Sequence, residues 1–121
     1  MRVRGIRGAN VVEANTKEAI HKTTGELIKA IIAENDVDPG DIASIFLTST
    51  PDINADFPAY AVRVLGLTSI PLLCAREIDV PGAMPSLIRI LVHINTDKGQ
   101  DEINHVYLGG TDKLRPDLAR E

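Results

Sequence analysis

The chain has 121 residues, a net charge of −4, one cysteine, two phenylalanines, two tyrosines and no tryptophan. That length supports one core but leaves little room for a deep, self-contained cleft, so a site for a polar ligand is expected to be completed by a second copy of the chain. The acidic balance excludes binding to nucleic-acid phosphates, the scarcity of aromatic residues removes base-stacking platforms, and the lone Cys74 suits a reducing compartment and cannot form an internal disulfide.

In chain order, Arg2 to Val12 alternates as a strand, with Val3, Gly5, Arg7, Ala9 and Val11 on one face and Arg4, Ile6 and Gly8 on the other. It reads as an N-terminal edge strand with Arg2 and Arg4 in solvent. The glycines flanking Arg7 suggest a close approach by a ligand or another backbone. Arg2, Arg4 and Arg7 also interrupt any apolar leader, and no apolar run reaches bilayer length, so a cytoplasmic protein away from the membrane is expected.

Asn15 and Thr16 are candidate N-caps of a helix, with Glu18 placed for a capping box with Asn15. Ile20, Thr24, Leu27, Ile28 and Ile31 form its buried stripe, and no chemistry is expected on it. A second strand covers Ile42 to Ser49. Asp56 is placed to cap a short helix from Pro58 to Leu65, which Gly66 stops.

Two further apolar runs, Ile70 to Val80 and Leu87 to Ile94, carry charge where buried strands should not. Ile88, Ile90, Val92 and Ile94 make an apolar face, whereas Leu87, Arg89, Leu91 and His93 face the other way. Enclosing the Arg89 guanidinium costs several kcal/mol unless it meets an anion. Glu77, a ligand, or both can supply that anion. A polar loop from Asn95 to Asn104 leads to a last short strand at His105-Val-Tyr-Leu, and a tail from about residue 111 folds back or frays. The whole is expected to be one α+β domain over residues 1–121, a mixed sheet with helices packed on one face.

The three histidines and single cysteine lack metal-ligand spacing. Phosphate-loop, dinucleotide and nucleophile-elbow motifs are absent from the sequence. Cys74, in an apolar run without an evident partner, reads as a structural core residue. There remain Arg7, Arg63, Arg89 and Arg115 with Glu77 and Tyr107. Arginine is a poor proton shuttle but grips carboxylates and stabilises charge developing on an oxygen. Such a set points to a compact dianion whose rearrangement needs neither nucleophile nor base.

Taken in order, Arg4-Gly-Ile-Arg-Gly-Ala, Ser49-Thr-Pro-Asp, Phe57-Pro-Ala, Cys74-x-x-Glu77-x-Asp-Val-x-Gly82, Ile88-Arg89, His105-Val-Tyr107-Leu and Leu114-Arg-Pro-Asp-Leu118 resemble the monofunctional chorismate mutases of the AroH class. The resemblance covers nearly the whole chain. It implies a homotrimeric pseudo-α/β-barrel of the Bacillus chorismate mutase type, with active sites at the subunit interfaces. It also implies conversion of chorismate to prephenate on the route to phenylalanine and tyrosine, without a cofactor.

By the same resemblance, Arg89, Glu77 and Arg7 are the catalytic group. Arg89 would meet the ether oxygen of the breaking bond, Arg7 and Tyr107 would grip a carboxylate, and Glu77 would bind the ring hydroxyl. Leu73 and Cys74 would line the pocket, Phe57, Ala59 and Arg63 would come from the helix across the interface, and Leu114 and Arg115 would belong to a tail closing over the ligand. Tyr60 stands where some relatives carry lysine, and Leu73 where some carry threonine. Alternatives compatible with the arginine set are a RidA-like trimeric imine deaminase, a non-catalytic dicarboxylate-binding protein, and a merely structural Glu77–Arg89 ion pair.

Overall fold

The computed structural model describes residues 1–115. Five strands form one mixed sheet: β1 (Arg2–Val11), β2 (Ile42–Ser49), β3 (Leu72–Arg76), β4 (Leu87–Thr96) and β5 (Val106–Tyr107), in the spatial order β3-β2-β4-β1-β5. β4 pairs antiparallel with both β1 and β2, while the outer strands β3 and β5 run parallel to their neighbours. Helix α1 (Lys17–Glu34) links β1 to β2, and the short helix α2 (Ala59–Val64) links β2 to β3.

The core lies where the two periodicities meet. Ile88, Ile90, Val92 and Ile94 of β4, with Ile6, Ile45 and Leu47, point toward Ile20, Leu27, Ile28 and Ile31 of α1, and all are buried. Each such side chain contributes about 1.5–3 kcal/mol on leaving water. Gly8 permits this contact. A Cβ there would stand 2.6 Å from Ile31 Cδ1 and 3.0 Å from Leu27 Cδ1. The close approach expected beside Arg7 is therefore made by α1.

Several local expectations change. β1 is not an edge along its whole length, because Gly8 and Ala9 pair with Val106 and Tyr107. Arg4 is half-buried, and its Nε donates to the Lys98 carbonyl at 3.0 Å. Thr16 alone caps α1, accepting from the Ala19 N–H at 3.1 Å. Asn15 instead holds the loop before α2: its Oδ1 accepts from the Asn54 and Ala55 N–H groups, each at 2.9 Å, and its Nδ2 donates to Asn54 Oδ1. Asp56 does not cap α2, whose N-terminal boundary is Pro58. Its Oδ1 accepts from the adjacent Phe57 N–H at 2.8 Å. Gly66, at φ +88°, ends the helix as expected. No helix among the described residues is long and apolar enough to cross a membrane.

Candidate active site

The charged residues gather on the sheet face opposite α1, and register explains how. Across the strands, Ala75, Thr48, Arg89, Ala9 and Tyr107 are successive partners and form one row. The next row runs through Leu73, Phe46, Leu91 and Arg7. Arg7 and Arg89 therefore stand diagonally across the β1–β4 pair. Glu77 reaches them from just beyond β3. Its N–H donates to the Ser49 carbonyl at 2.9 Å, which prolongs the β2–β3 ladder by one residue.

There the carboxylate meets Arg89, whose Nη2 donates to Glu77 Oε1. Arg7, Thr48, Glu77, Arg89 and Phe46 line an open groove of about 320 Å³. Burial opposes ionisation of Glu77. The Arg89 hydrogen bond, the nearby Thr48 hydroxyl (which lacks a partner in good hydrogen-bond geometry among the described residues), and the charges of Arg89 and Arg7 outweigh it. The carboxyl titrates below its ordinary range.

Arg89 is less enclosed than its aliphatic neighbours suggest. Its side chain is 36% exposed and that of Glu77 is 13% exposed. The physical reason is that α1 covers only the other face of the sheet. The Tyr107 hydroxyl, on the Arg89 row, is buried without a hydrogen-bond partner among the described residues. An unpaired buried hydroxyl costs about 1–3 kcal/mol.

A second group lies at the outer edge of β3, against α2. Phe57, Ala59, Tyr60, Arg63, Leu73 and Cys74 surround a hollow of about 290 Å³. Phe57 is 72% exposed, Arg63 is exposed and Ala59 is buried. Cys74 is half-buried, packed on the core and open to this hollow, so it is more accessible than a purely structural cysteine.

His21, on the helix expected to carry no chemistry, pairs through Nε2 with Asp56 Oδ2 at 2.8 Å and stacks on Tyr60. The Phe57 N–H bond, opposed by desolvation and helped by His21, holds the Asp56 carboxyl below its usual range. Neither the Asn15 clamp nor the His21–Asp56 pair is visible in local sequence, since each bridges more than thirty residues.

A third hollow of about 400 Å³ places Leu114 beside Arg76, Glu77 and Arg89. Arg115 is exposed, and residues 116–118 of the tail motif lie outside the described residues. A further hollow, about 570 Å³, is lined by Ser49, Asn54, Phe57, Cys74 and Arg76, without Arg7 or Arg89. The expected site residues thus fall into two sets within one chain: Arg7, Glu77 and Arg89 with Leu114 nearby, and Phe57, Ala59, Arg63, Leu73 and Cys74 elsewhere.

A groove floored by fixed arginines and one ionised carboxylate belongs to a protein that handles a small anionic ligand by electrostatics. The comparisons with known proteins make this specific. The family model described as chorismate mutase type I matches residues 3–118. The chorismate mutase AroH of Thermus thermophilus is 47% identical over 117 residues, covering 96% of each chain. That of Bacillus subtilis is 46% identical over 120 residues, covering 98% of this chain and 94% of its own. A solved chorismate mutase from Clostridium thermocellum superposes with a TM-score of 0.89 at 45% identity, covering 91% of this chain and 98% of that one. The chain belongs to the type I chorismate mutase family, and with that membership it is an enzyme. The deaminase and non-catalytic alternatives are set aside.

Proposed function

We propose that the chain is a single chorismate mutase domain that converts chorismate to prephenate, for phenylalanine and tyrosine synthesis in the cytoplasm, as a cofactor-free homotrimer. Each active site joins the Arg7–Glu77–Arg89 groove of one protomer to the hollow lined by Phe57, Ala59, Arg63, Leu73 and Cys74 of its neighbour. The observation that carries this is the separation of the two sets on one chain, each on an uncovered surface. Phe46 at 39%, Leu73 at 60% and Val3 at 56% exposure leave the sheet face apolar and open, as an interface requires.

Within that site Arg89 faces the ether oxygen. As the C–O bond lengthens ahead of C–C bond formation, negative charge collects on that oxygen. A cation already held by Glu77 stabilises this charge more than it stabilises the ground state, and the difference accelerates the reaction. Arg7 and Tyr107 grip a carboxylate, which gives the unpaired Tyr107 hydroxyl a partner. Holding the folded conformer removes part of the entropic barrier. Glu77 accepts from the ring hydroxyl, and Leu114 and Arg115 close over the ligand.

Subunit mixing tests the shared site. Arg89→Ala and Arg63→Glu are each expected to be nearly inactive with chorismate. Unfolded and reassembled together in equal amounts, they should recover activity at about a quarter of their sites, those built from one intact face of each variant. No recovery from a mixture shown to contain mixed oligomers would place both sets within one protomer and defeat the proposal.

A further inference from the structure

β5 accompanies β1 for only two residues, Gly8 with Val106 and Ala9 with Tyr107. N-terminal to that, side chains replace a neighbouring strand. Gln100 pairs with Gly5 in both directions, accepting its N–H at 3.1 Å and donating to its carbonyl at 2.7 Å. The Arg7 N–H donates to Nδ1 of His105 at 2.9 Å. A backbone amide can only donate, so Nδ1 must present its lone pair, and the ring proton of the neutral imidazole sits on Nε2.

His105 does not line the groove that contains Arg7, Glu77 and Arg89. Its bond nevertheless ends on the backbone of a groove residue, on the side of β1 away from β4. On the β4 side, Arg7 is partnered by Leu91. Arg7 is thus held from both edges of its strand, by a strand on one side and by a single ring nitrogen on the other. Without that acceptor, a half-buried N–H is left unpaired and β1 is free to shift or admit water at Arg7. A displacement of about 1 Å is enough to spoil an oriented carboxylate grip.

We propose that His105 is a positioning residue for Arg7, acting as a neutral hydrogen-bond acceptor through the strand backbone. The inference rests on the proposed role of Arg7 in gripping substrate. The test compares His105→Leu, His105→Asn and Arg7→Ala with the wild type, using chorismate as substrate. His105→Leu should raise KM about tenfold while changing kcat by less than about threefold, the signature of a weakened binding contact. His105→Asn, whose Oδ1 takes the place of Nδ1, should return KM to within about threefold of wild type.

In the wild-type enzyme, ¹⁵N spectra of the ring should show Nδ1 without a proton and Nε2 with one. A protonated Nδ1, an unchanged KM in His105→Leu, or an Asn variant as impaired as any folded Leu variant would each overturn the proposal. If Arg7→Ala itself leaves KM unchanged, the site assignment fails first, and the ring spectra still report separately on the His105 bond.

Discussion

Arg89→Ala is the most informative perturbation. The guanidinium sits between Thr48 and Ala9 in the sheet register and borders two of the hollows, one with Arg7 and one with Leu114. Removing one preorganised donor to a developing oxyanion costs about 2.7–4 kcal/mol, or 10²–10³ in kcat. Arg89 is charged, which favours the upper end. The expected loss in kcat is therefore about a thousandfold, equivalent to about 4 kcal/mol.

Arg89→Lys should recover no more than about tenfold of that, since an ammonium cannot present a planar fork to Glu77 and to substrate together. The assay follows the fall in chorismate absorbance, with sedimentation and circular dichroism confirming that assembly and fold are kept. A well-assembled Arg89→Ala enzyme within about tenfold of wild-type kcat would refute the electrostatic account.

The depressed Glu77 pKa makes stability depend on pH. Because the folded value lies below the unfolded one, the unfolded chain binds more protons in that window. The pair's contribution is fully present above the unfolded value and is lost as pH falls through the folded one. Urea melts from about pH 6 to about pH 3 should show this acid-side loss, and Arg89→Ala, which lets the folded carboxyl rise toward its unfolded value, should flatten it; coincident profiles would mean the pair contributes nothing. Gly8→Ala should destabilise by about 1–3 kcal/mol, because its Cβ would press on Cδ1 and Cγ1 of Ile31 and on Cδ1 of Leu27, and an unchanged urea midpoint would mean α1 yields freely. Phe46→Asp, on the open sheet face, should shift the sedimentation pattern to monomers and abolish turnover; an intact, active oligomer would remove that face from the interface.

What the sequence disclosed follows from period and bond type. β4 announces its two faces because Ile88, Ile90, Val92 and Ile94 recur at spacing two, and α1 announces its stripe at helical spacing. Both are core-facing elements whose packing obeys local pattern. Arg89 is legible for the opposite reason, as a charge in an aliphatic run. Its partner is harder to place, because β2 lies between β3 and β4 and the Glu77–Arg89 contact crosses that strand beside Thr48. Asp56 has the right spacing for a cap, yet the loop ahead of α2 is tied back to Asn15 and His21, and tertiary bonds override the local preference. The glycines beside Arg7 suggest a close approach by a ligand or another backbone, and at Gly8 it is α1 that approaches, because a strand pattern does not say which face a helix will cover. The exposure of Arg89 was hidden likewise, since nothing local records that α1 covers one face only.

The two half-sites are held by different means, and this bears on how the proposed assembly works. Arg7, Thr48 and Arg89 stand on paired strands, so their spacing is set by backbone hydrogen bonds. Such elements keep catalytic groups in position better than loops do. Glu77 uses one N–H of Arg89, so the pairing orients the cation and, in the proposed mechanism, leaves the rest of the guanidinium fork for a substrate oxygen. Phe57, by contrast, is carried on a loop, and that loop is pinned by Asn15 from the start of α1 and by the His21–Asp56 pair from its first turns. Both halves are thus tied down by bonds within a single chain. In the proposed trimer, docking surfaces braced in this way leaves little side-chain ordering to oppose association, and the Glu77–Arg89 pairing on which the proposed mechanism depends is made within each protomer.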